Sequence, residues 1–410
     1  MDEPDAFLSS TGQQDLLRVL EEFAEPESGS RHDQVVYVTH SPFLINKNAA
    51  HRIRVLDKGS EEEGTRVVRD AARNHYEPLR SSVGAYVAET AFIGGSNLVV
   101  EGVSDQVLLV GMNSLLRRDG TAPRELLDLN SVTIVPAGSA SEVPYIVYLA
   151  RGRDETKPPC VALLDGDRSG EDAEKGLARG GASGKRVLDG KYIVQIAAWG
   201  SGADLKLADG IKLTEIEDLI PTRIALEAAR SYATSFLRLS GDEVTTLARE
   251  AIDSALVSAG GSVWKALEQA FAAAYDGAHI DKTGFAKELL AYVNTASGER
   301  RPPGLLDLEH NFGQLIRHLA ELLADAERDE GDRRRKKRLG RIVKGFLDDH
   351  PDGTTKDSAE QTLRAIESSL DEADPEDDLV RAGITRLRRD FKPPPARLIR
   401  CPTSRSSVRT

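Results

Sequence analysis

The sequence has few cysteines, and it contains no long apolar run and no stretch with the pattern of a secretory signal. Two cysteines in 410 residues, Cys160 and Cys401, can form neither a disulfide framework nor a cysteine-based zinc site. Any metal ion would therefore be held by oxygen or nitrogen ligands. No apolar stretch approaches the roughly 18 residues that span a bilayer, and Met1 is followed by acidic residues rather than by a signal peptide. We expect a cytoplasmic chain without a membrane partner.

Positive charge is scarce over most of the chain and is concentrated in two segments. The net charge of −12 argues against a surface that binds nucleic acid everywhere. Residues 386–410 nevertheless carry eight Lys or Arg and one acid, so this tail is +7 and the remainder is −19. A second basic run occupies 333–338. Either segment could contact phosphate, and either could instead be a solvated helix face or a disordered end.

The middle of the chain alternates between short apolar runs and amphipathic stretches. Apolar runs without internal polar alternation are typical of parallel strands that are buried on both faces. Strands are predicted at 97–100, 132–135, 161–164 and 192–196, with helices at 104–117 and 141–151. The sequence therefore predicts an α/β fold with a parallel central sheet.

The flanking segments are expected to be mostly helical. Before the sheet, the pattern predicts a helix at 13–23, a buried strand at 35–39, a strand at 51–56 and a helical stretch at 67–91. After the sheet, it predicts a helical insertion over 222–274 and amphipathic helices at 280–293 and 312–323. Beyond Asp349 the composition turns polar.

Four acids follow two of the predicted strands. Glu101 ends the first strand and Asp105 lies in the first turn of the next helix, while Asp165 and Asp167 follow the strand at 161–164. Ligand sites of open α/β sheets lie outside the carboxyl ends of the strands, so we expect these carboxylates at one rim. Taken alone, an acid after a strand is more often a helix cap or a loop residue.

Carboxylates that converge in one crevice repel one another unless cations intervene. Oxygen-rich clusters select Mg²⁺ or Mn²⁺, and two such ions activate water and stabilise the leaving oxygen of a phosphodiester. The acidic pattern therefore favours a two-metal site that hydrolyses phosphodiester bonds.

Two resemblances narrow this prediction. Val-Glu-Gly at 100–102, followed some 60 residues later by an apolar strand and Asp-Gly-Asp, resembles a Toprim domain, a Rossmann-like metal-dependent fold. Asp2-Glu3-Pro4 and Val-Tyr-Val-Thr-His-Ser-Pro at 36–42 resemble the end of an ABC-type ATPase. An ATPase end that runs into a Toprim domain resembles the OLD (overcoming lysogenization defect) family of ATP-dependent nucleases. The resemblance covers roughly residues 1–325.

The resemblance implies a DNA endonuclease or nickase, for which phage defence is the role that the family suggests. It implies that Glu101 acts as a metal ligand or general acid/base and that Asp105 helps to hold a second Mg²⁺ or Mn²⁺. It implies that Asp165 and Asp167 are ligands too. A further acid is expected after the last strand, where Glu217 is preferred and Glu215 or Asp218 could replace it. Lys282 is the candidate for a lysine that stabilises the charged transition state.

The sequence also departs from the family. It lacks the Gly-x-x-x-x-Gly-Lys-Ser/Thr loop that cradles nucleotide phosphates, and the glycine-rich segment at 180–186 has the wrong spacing. Glu3, as a hydrolytic base, and His40, as a γ-phosphate sensor, are therefore parts of an incomplete ATP site. We expect the chain to be the C-terminal portion of a longer protein. ATP would be a cofactor, and homodimerisation through the ATPase part would occur, only if the missing portion were supplied.

These predictions divide the chain into successive segments. They are an ATPase fragment at 1–60, a helical linker at 61–95, the Toprim domain at 96–221, its helical insertion at 222–275, helices completing the nuclease site at 276–345 and a flexible polar and basic extension at 346–410. Two alternatives remain. A topoisomerase-like Toprim subunit would need a catalytic tyrosine, and none of the nine tyrosines has that context. A non-catalytic assembly module would retain the acids without chemistry.

Overall fold

A computed structural model of the chain describes residues 1–5, 8–24, 33–39, 41–58, 65–68, 95–152, 157–179, 186–295, 301–349, 355–370 and 375–390. The chain divides into two compact units, Met1–Glu330 and Gly331–Thr410. Within the described ranges, none of the helices combines the length and the apolar character that crossing a membrane requires.

The first unit begins with a helix and a short hairpin. Helix α1 covers Ser10–Ala24, and strands β1 (Val55–Lys58) and β2 (Thr65–Val68) pair antiparallel. Two 3-10 helices, Pro42–Leu44 and Lys47–Arg52, lie between α1 and β1 in the chain. This region is tied to the rest of the unit by side-chain amides, since the Leu129 amide donates to the Asn48 side chain over 2.9 Å.

A four-stranded parallel sheet forms the centre of the first unit, as the sequence predicts. Its strands run in the order β4-β3-β5-β6, and all three pairings are parallel. The strands are β3 (Ser96–Val100), β4 (Val132–Pro136), β5 (Cys160–Leu164) and β6 (Ile193–Gln195). Every residue of β3 and β5 is buried, and apart from Ser96 and Asn97 all of these residues are apolar, as expected of strands that are covered on both faces.

Helices connect and cover these strands. They are α2 (Val103–Arg118), α3 (Val143–Gly152), α4 (Arg168–Arg179) and the short α5 (Ile196–Gly200). Since α2, α3 and α4 each follow one strand and precede the next, the unit repeats the strand–helix–strand pattern of Rossmann-like folds.

Further helices follow the sheet, and most of them pack into the same core. They are α6 (Thr222–Phe236), α7 (Asp242–Thr245), α8 (Arg249–Ser258), α9 (Val263–Ala274), α10 (Lys282–Thr295) and α11 (Leu305–Asp349). Buried residues from Leu98 to Ala326 form one hydrophobic cluster. Helix α10 packs on α6 and also on α2, where a Cβ at Gly111 would lie 2.2 Å from Leu290. A larger residue at this position would therefore displace the Leu290 side chain.

The second unit contains the end of α11 together with α12 (Lys356–Ser368) and α13 (Pro375–Asp390). Asp377 is 1% exposed and receives ion pairs from Arg335 and Arg338. The sequence predicts a flexible extension here, but the described residues of this segment are largely helical. Two of the six basic residues at 333–338 thus bind a buried acid of their own unit.

Several local predictions were wrong or need new boundaries. The run at 35–39 is not a buried strand, because Val36 is 78% exposed and only an isolated bridge joins Val38 to Asp2. Residues 35, 37 and 39 are half-buried while Val36 and Val38 are exposed, so the run is only partly covered on one face. The predicted strand at 51–56 begins at Val55. The predicted helix at 67–91 starts inside β2, and its remainder lies outside the described residues.

Candidate active site at the carboxyl end of the sheet

Glu101 and Asp105 are positioned where β3 passes into α2. Glu101 follows the last residue of the strand, and Gly102 is the N-cap of the helix with extended backbone angles. The Asp105 carboxylate accepts a hydrogen bond of 2.8 Å from the Gly102 amide and is 7% exposed. Asp105 thus caps the start of α2, and this hydrogen bond occupies one of its two carboxylate oxygens.

Glu101 also joins two neighbouring strands. Its Oε1 accepts a hydrogen bond of 2.8 Å from the backbone amide of Asp165, the first residue after β5. Because β3 and β5 are adjacent and parallel, the residues that follow them meet at the same rim. Acids that are 64 residues apart in the sequence are therefore in contact through Glu101.

Asp167 lies beside this contact but points into a different environment. It is exposed, and its side chain accepts a hydrogen bond of 2.9 Å from the Gly170 amide at the start of α4. A Cβ on Gly170 would lie 2.1 Å from the backbone oxygen of Asp165, so only glycine fits here. Asp167 thus caps α4 while its negative charge still raises the pKa of Glu101.

The turn at Ile216–Leu219, together with its N-cap Glu215, supplies the third acidic segment, and its three acids have different roles. Asp218 is fully buried and accepts hydrogen bonds from the Thr214 and Glu215 amides and, at 2.7 Å, from the Val263 amide. Asp218 is therefore a structural residue that shapes the turn. Glu217 is 2% exposed, and among the described residues its Oε1 has no hydrogen-bond partner.

Lys282, the first residue of α10, faces this turn. Its ammonium lies 2.6 Å from Glu215 Oε2, 3.3 Å from Glu217 Oε2 and 5.6 Å from the centre of the Trp264 ring. The other oxygen of Glu215 accepts a hydrogen bond from the Ser262 hydroxyl. With Asp218 and Glu215 thus engaged, Glu217 is the acid of this turn that keeps an unpartnered oxygen.

The electrostatics of the cluster reflect crowding of negative charge. Burial, followed by the charges of Asp105, Glu101 and Glu217, raises the pKa of Asp165 to about 9. Burial is also the main cause of the raised pKa values of Glu101, Asp105 and Glu217. Burial alone would lower the pKa of Lys282, but the two glutamates outweigh it and raise that pKa. One lysine therefore offsets only part of the acidic charge.

The donor set has the chemistry of a hard-cation site. All of its candidate ligands are carboxylate oxygens, which suit Mg²⁺ or Mn²⁺, and Glu217 Oε1 is a buried acceptor without a donor. Among the described residues, no three His, Cys, Asp or Glu side chains are already arranged around one ion position. The residues fit a divalent cation by charge and type, and side-chain rotations would be needed to complete its ligand shell.

The structure brings together five predicted site residues and leaves others apart. The five are Glu101, Asp105, Asp165, Glu217 and Lys282, with Asp167 at their edge. Glu3 is exposed, and its backbone amide bonds to Val38 instead. His40 lies outside the described residues, as does the glycine-rich segment at 180–185.

Two residues of the cluster carry no strong sequence signal. Ser262 has the residue type of an N-cap before α9, and it is one, since its hydroxyl accepts from the Lys265 amide. Trp264 contacts Lys282 only because α9 and α10 meet in the fold.

A scan against models of protein families and a search of curated proteins both find no match to this chain.

Proposed function

We propose that this chain is a divalent-metal-dependent DNA endonuclease or nickase of the OLD type. The observation that supports it is the convergence of acids from three separate segments beside one lysine. Glu101 contacts the residue after β5, and the charges of Asp105, Glu217 and Lys282 all act on Asp165. Perturbed titratable groups at the carboxyl ends of parallel strands are typical of catalytic sites.

Each residue of the cluster has a chemical task in this proposal. Glu101, Asp105, Asp165, Asp167 and Glu217 would hold two Mg²⁺ or Mn²⁺ ions. When bound, these ions would supply an activated water and stabilise the leaving oxygen of a phosphodiester. The hydrogen bond from the Asp165 amide orients Glu101, and the capping bond from the Gly102 amide orients Asp105. Backbone amides thus hold Glu101 and Asp105 in place, while the other proposed ligands would reach the ions by side-chain rotation.

Lys282 would stabilise the substrate as charge develops. Its side chain is about one-third exposed (34%), which leaves it accessible to an incoming phosphate. Its raised pKa keeps it protonated at neutral pH. A permanent cation next to the reacting phosphorus offsets the charge that builds up on the phosphorane oxygens.

The N-terminal segment belongs to the same proposal. The resemblance of residues 1–60 to an ATPase end, including Glu3 and His40, suggests that ATP acts only together with a nucleotide-binding portion that this sequence lacks. We propose the Toprim and OLD assignments on the order of motifs and on the Rossmann-like sheet with which they agree.

Plasmid cleavage tests the proposal. Supercoiled plasmid incubated with Mg²⁺ or Mn²⁺ should be nicked by the wild type and spared by Asp165→Asn. Asp172→Asn is the matched control, because Asp172 is an exposed residue of α4 that pairs only with Lys175 in the described structure. Equal cleavage by the wild type and Asp165→Asn would remove the assignment.

A non-catalytic assembly module is the second candidate. It is favoured by the ion pairs of Lys282 with Glu215 and Glu217, which could be a purely structural use of these acids. DNA binding that does not depend on Mg²⁺, without cleavage by the wild type under any metal condition, would support this candidate.

A further inference from the structure

A cavity of about 500 Å³ lies in the first unit, on a part of the molecule to which the proposed chemistry assigns no role. Its walls come from the segment around Lys206, from the start of α6 at Pro221–Arg223 and from the start of α11. Three of its lining residues are cations, Lys206, Arg223 and Arg249. The chain as a whole is acidic, so three cations around one cavity are an unusual local concentration.

The walls of this basic cavity are held by a buried asparagine. Asn311 is 1% exposed, and its side-chain oxygen accepts a hydrogen bond of 2.7 Å from the Lys206 amide. Its side-chain nitrogen donates to the backbone oxygens of Lys206 and Leu219. These bonds fix the Lys206 segment and the Ile216–Leu219 turn on α11, so the cavity is preformed.

The charge balance of the lining is positive. Arg223 is exposed and has no ion-pair partner among the described residues. Lys206 pairs with Asp204 at 3.4 Å and Arg249 with Asp253 at 3.3 Å, both at partly exposed positions where such pairs are weak. Of the two acids in the lining, Asp218 has its charge taken up by backbone amides. Asp307 is the one exposed acid of the lining itself.

The cavity adjoins the candidate active site through the Ile216–Leu219 turn. Asp218 lines the cavity, while the preceding residue, Glu217, contacts Lys282. The acidic cluster and the cavity are therefore linked through adjacent residues of one turn.

On the basis of the proposed nuclease function, we infer that this basic cavity binds phosphates of a nucleic-acid strand. These phosphates neighbour, in the same strand, the phosphate that is cleaved. The recognised chemistry is the phosphate anion, and its source is a continuous strand rather than a free nucleotide. Contacts of this kind are independent of base sequence and release counterions, so their strength falls with salt.

The test measures binding of a fluorescent DNA oligonucleotide by anisotropy at several salt concentrations. All variants carry Asp165→Asn, so that Mg²⁺ can be present without cleavage. Arg223→Glu should weaken binding about tenfold and reduce the salt slope by about one to two. Asp307→Asn should strengthen binding a few-fold. Arg124→Glu, an exposed charge reversal outside the cavity lining, should change binding by less than about twofold.

Three results would overturn the inference. The first is an equal loss for Arg223→Glu and Arg124→Glu, which would indicate only a general effect of net charge. The second is no response to Asp307→Asn together with unchanged binding by Arg223→Glu. The third is displacement of the oligonucleotide by ATP at equal phosphate concentration, which would assign the cavity to a free nucleotide. Matching thermal unfolding of the variants excludes misfolding as the cause.

The same variants separate this inference from the proposed function. If the wild type fails to nick plasmid but Arg223→Glu still weakens DNA binding, the nuclease proposal fails and the binding site stands. If the wild type nicks plasmid and Arg223→Glu binds DNA normally, the cavity assignment alone is wrong.

Discussion

Replacing Asp165 by asparagine should stabilise the metal-free protein. The side chain is half-buried beside Glu101, Asp105 and Glu217, which together with burial raise its pKa to about 9 from a reference value of 3.8. Asparagine has nearly the same shape and no charge to repel. Because the Asp165 backbone amide, not its side chain, bonds to Glu101, the substitution leaves that contact intact.

The magnitude follows from the two pKa values. One pKa unit corresponds to about 1.4 kcal/mol, so between the reference value and pH 7 the penalty for Asp165 reaches at most about 4 kcal/mol. Water at this partly exposed site reduces the figure, and we expect a gain of about 2 kcal/mol for Asp165→Asn at pH 7. Since the pKa is higher in the folded chain than in the unfolded one, the penalty is absent below about pH 4 and complete above about pH 9.

Urea denaturation in EDTA at pH 5, 7 and 8.5 measures this effect. The wild type should lose stability as the pH rises, and Asp165→Asn should lose less, so that the variant is increasingly the more stable protein. Asp172→Asn, with a side chain that is 64% exposed, should stay within about 0.5 kcal/mol of the wild type. A variant that is less stable than the wild type at pH 8.5, or that shows the same pH dependence, would refute the reasoning.

Three further substitutions test other parts of the structure. Lys282→Met should lower the free energy of unfolding by about 3 kcal/mol because it leaves Glu217 buried without its cation, and the loss measured by denaturation should be smaller at pH 5 than at pH 8. Glu330→Gln should lower stability by about 3 kcal/mol, measured by the same denaturation, because Arg151 would keep a buried charge without its partner at 2.5 Å. Asp218→Asn should cost about 2 kcal/mol through lost backbone bonds while Mn²⁺ affinity is retained; a loss of Mn²⁺ affinity without destabilisation would contradict this structural role.

The sheet could be predicted from the sequence because buried parallel strands are short runs of mostly apolar residues. Cys160–Leu164 is apolar throughout and Val132–Pro136 is apolar except for Thr133, and the sequence places both to within about one residue. The same rule fails at 35–39, where an equally β-branched run is exposed. The residue types of a segment show whether it is suited to be buried. Whether it is buried depends on the helices or strands that pack against it, and the local sequence pattern does not contain them.

The site was predictable to the extent that topology determines it. Acids after adjacent parallel strands must meet, and Glu101 and Asp165 do. The roles within Ile216–Leu219 could not be separated, because Glu215, Glu217 and Asp218 are equivalent in the sequence and differ only in their partners. The contribution of Trp264 and the basic cavity around Arg223 depend on how helices far apart in the chain pack together.

The central claim is that the acids after β3 and β5 and in the Ile216–Leu219 turn share divalent cations. Calorimetric titration with Mn²⁺ alone tests it most directly. The wild type and Asp172→Asn should bind Mn²⁺ with equal affinity, and Asp165→Asn and Glu217→Gln should each bind at least about tenfold more weakly. Equal Mn²⁺ affinity in all four proteins, or no binding by the wild type, would contradict the claim.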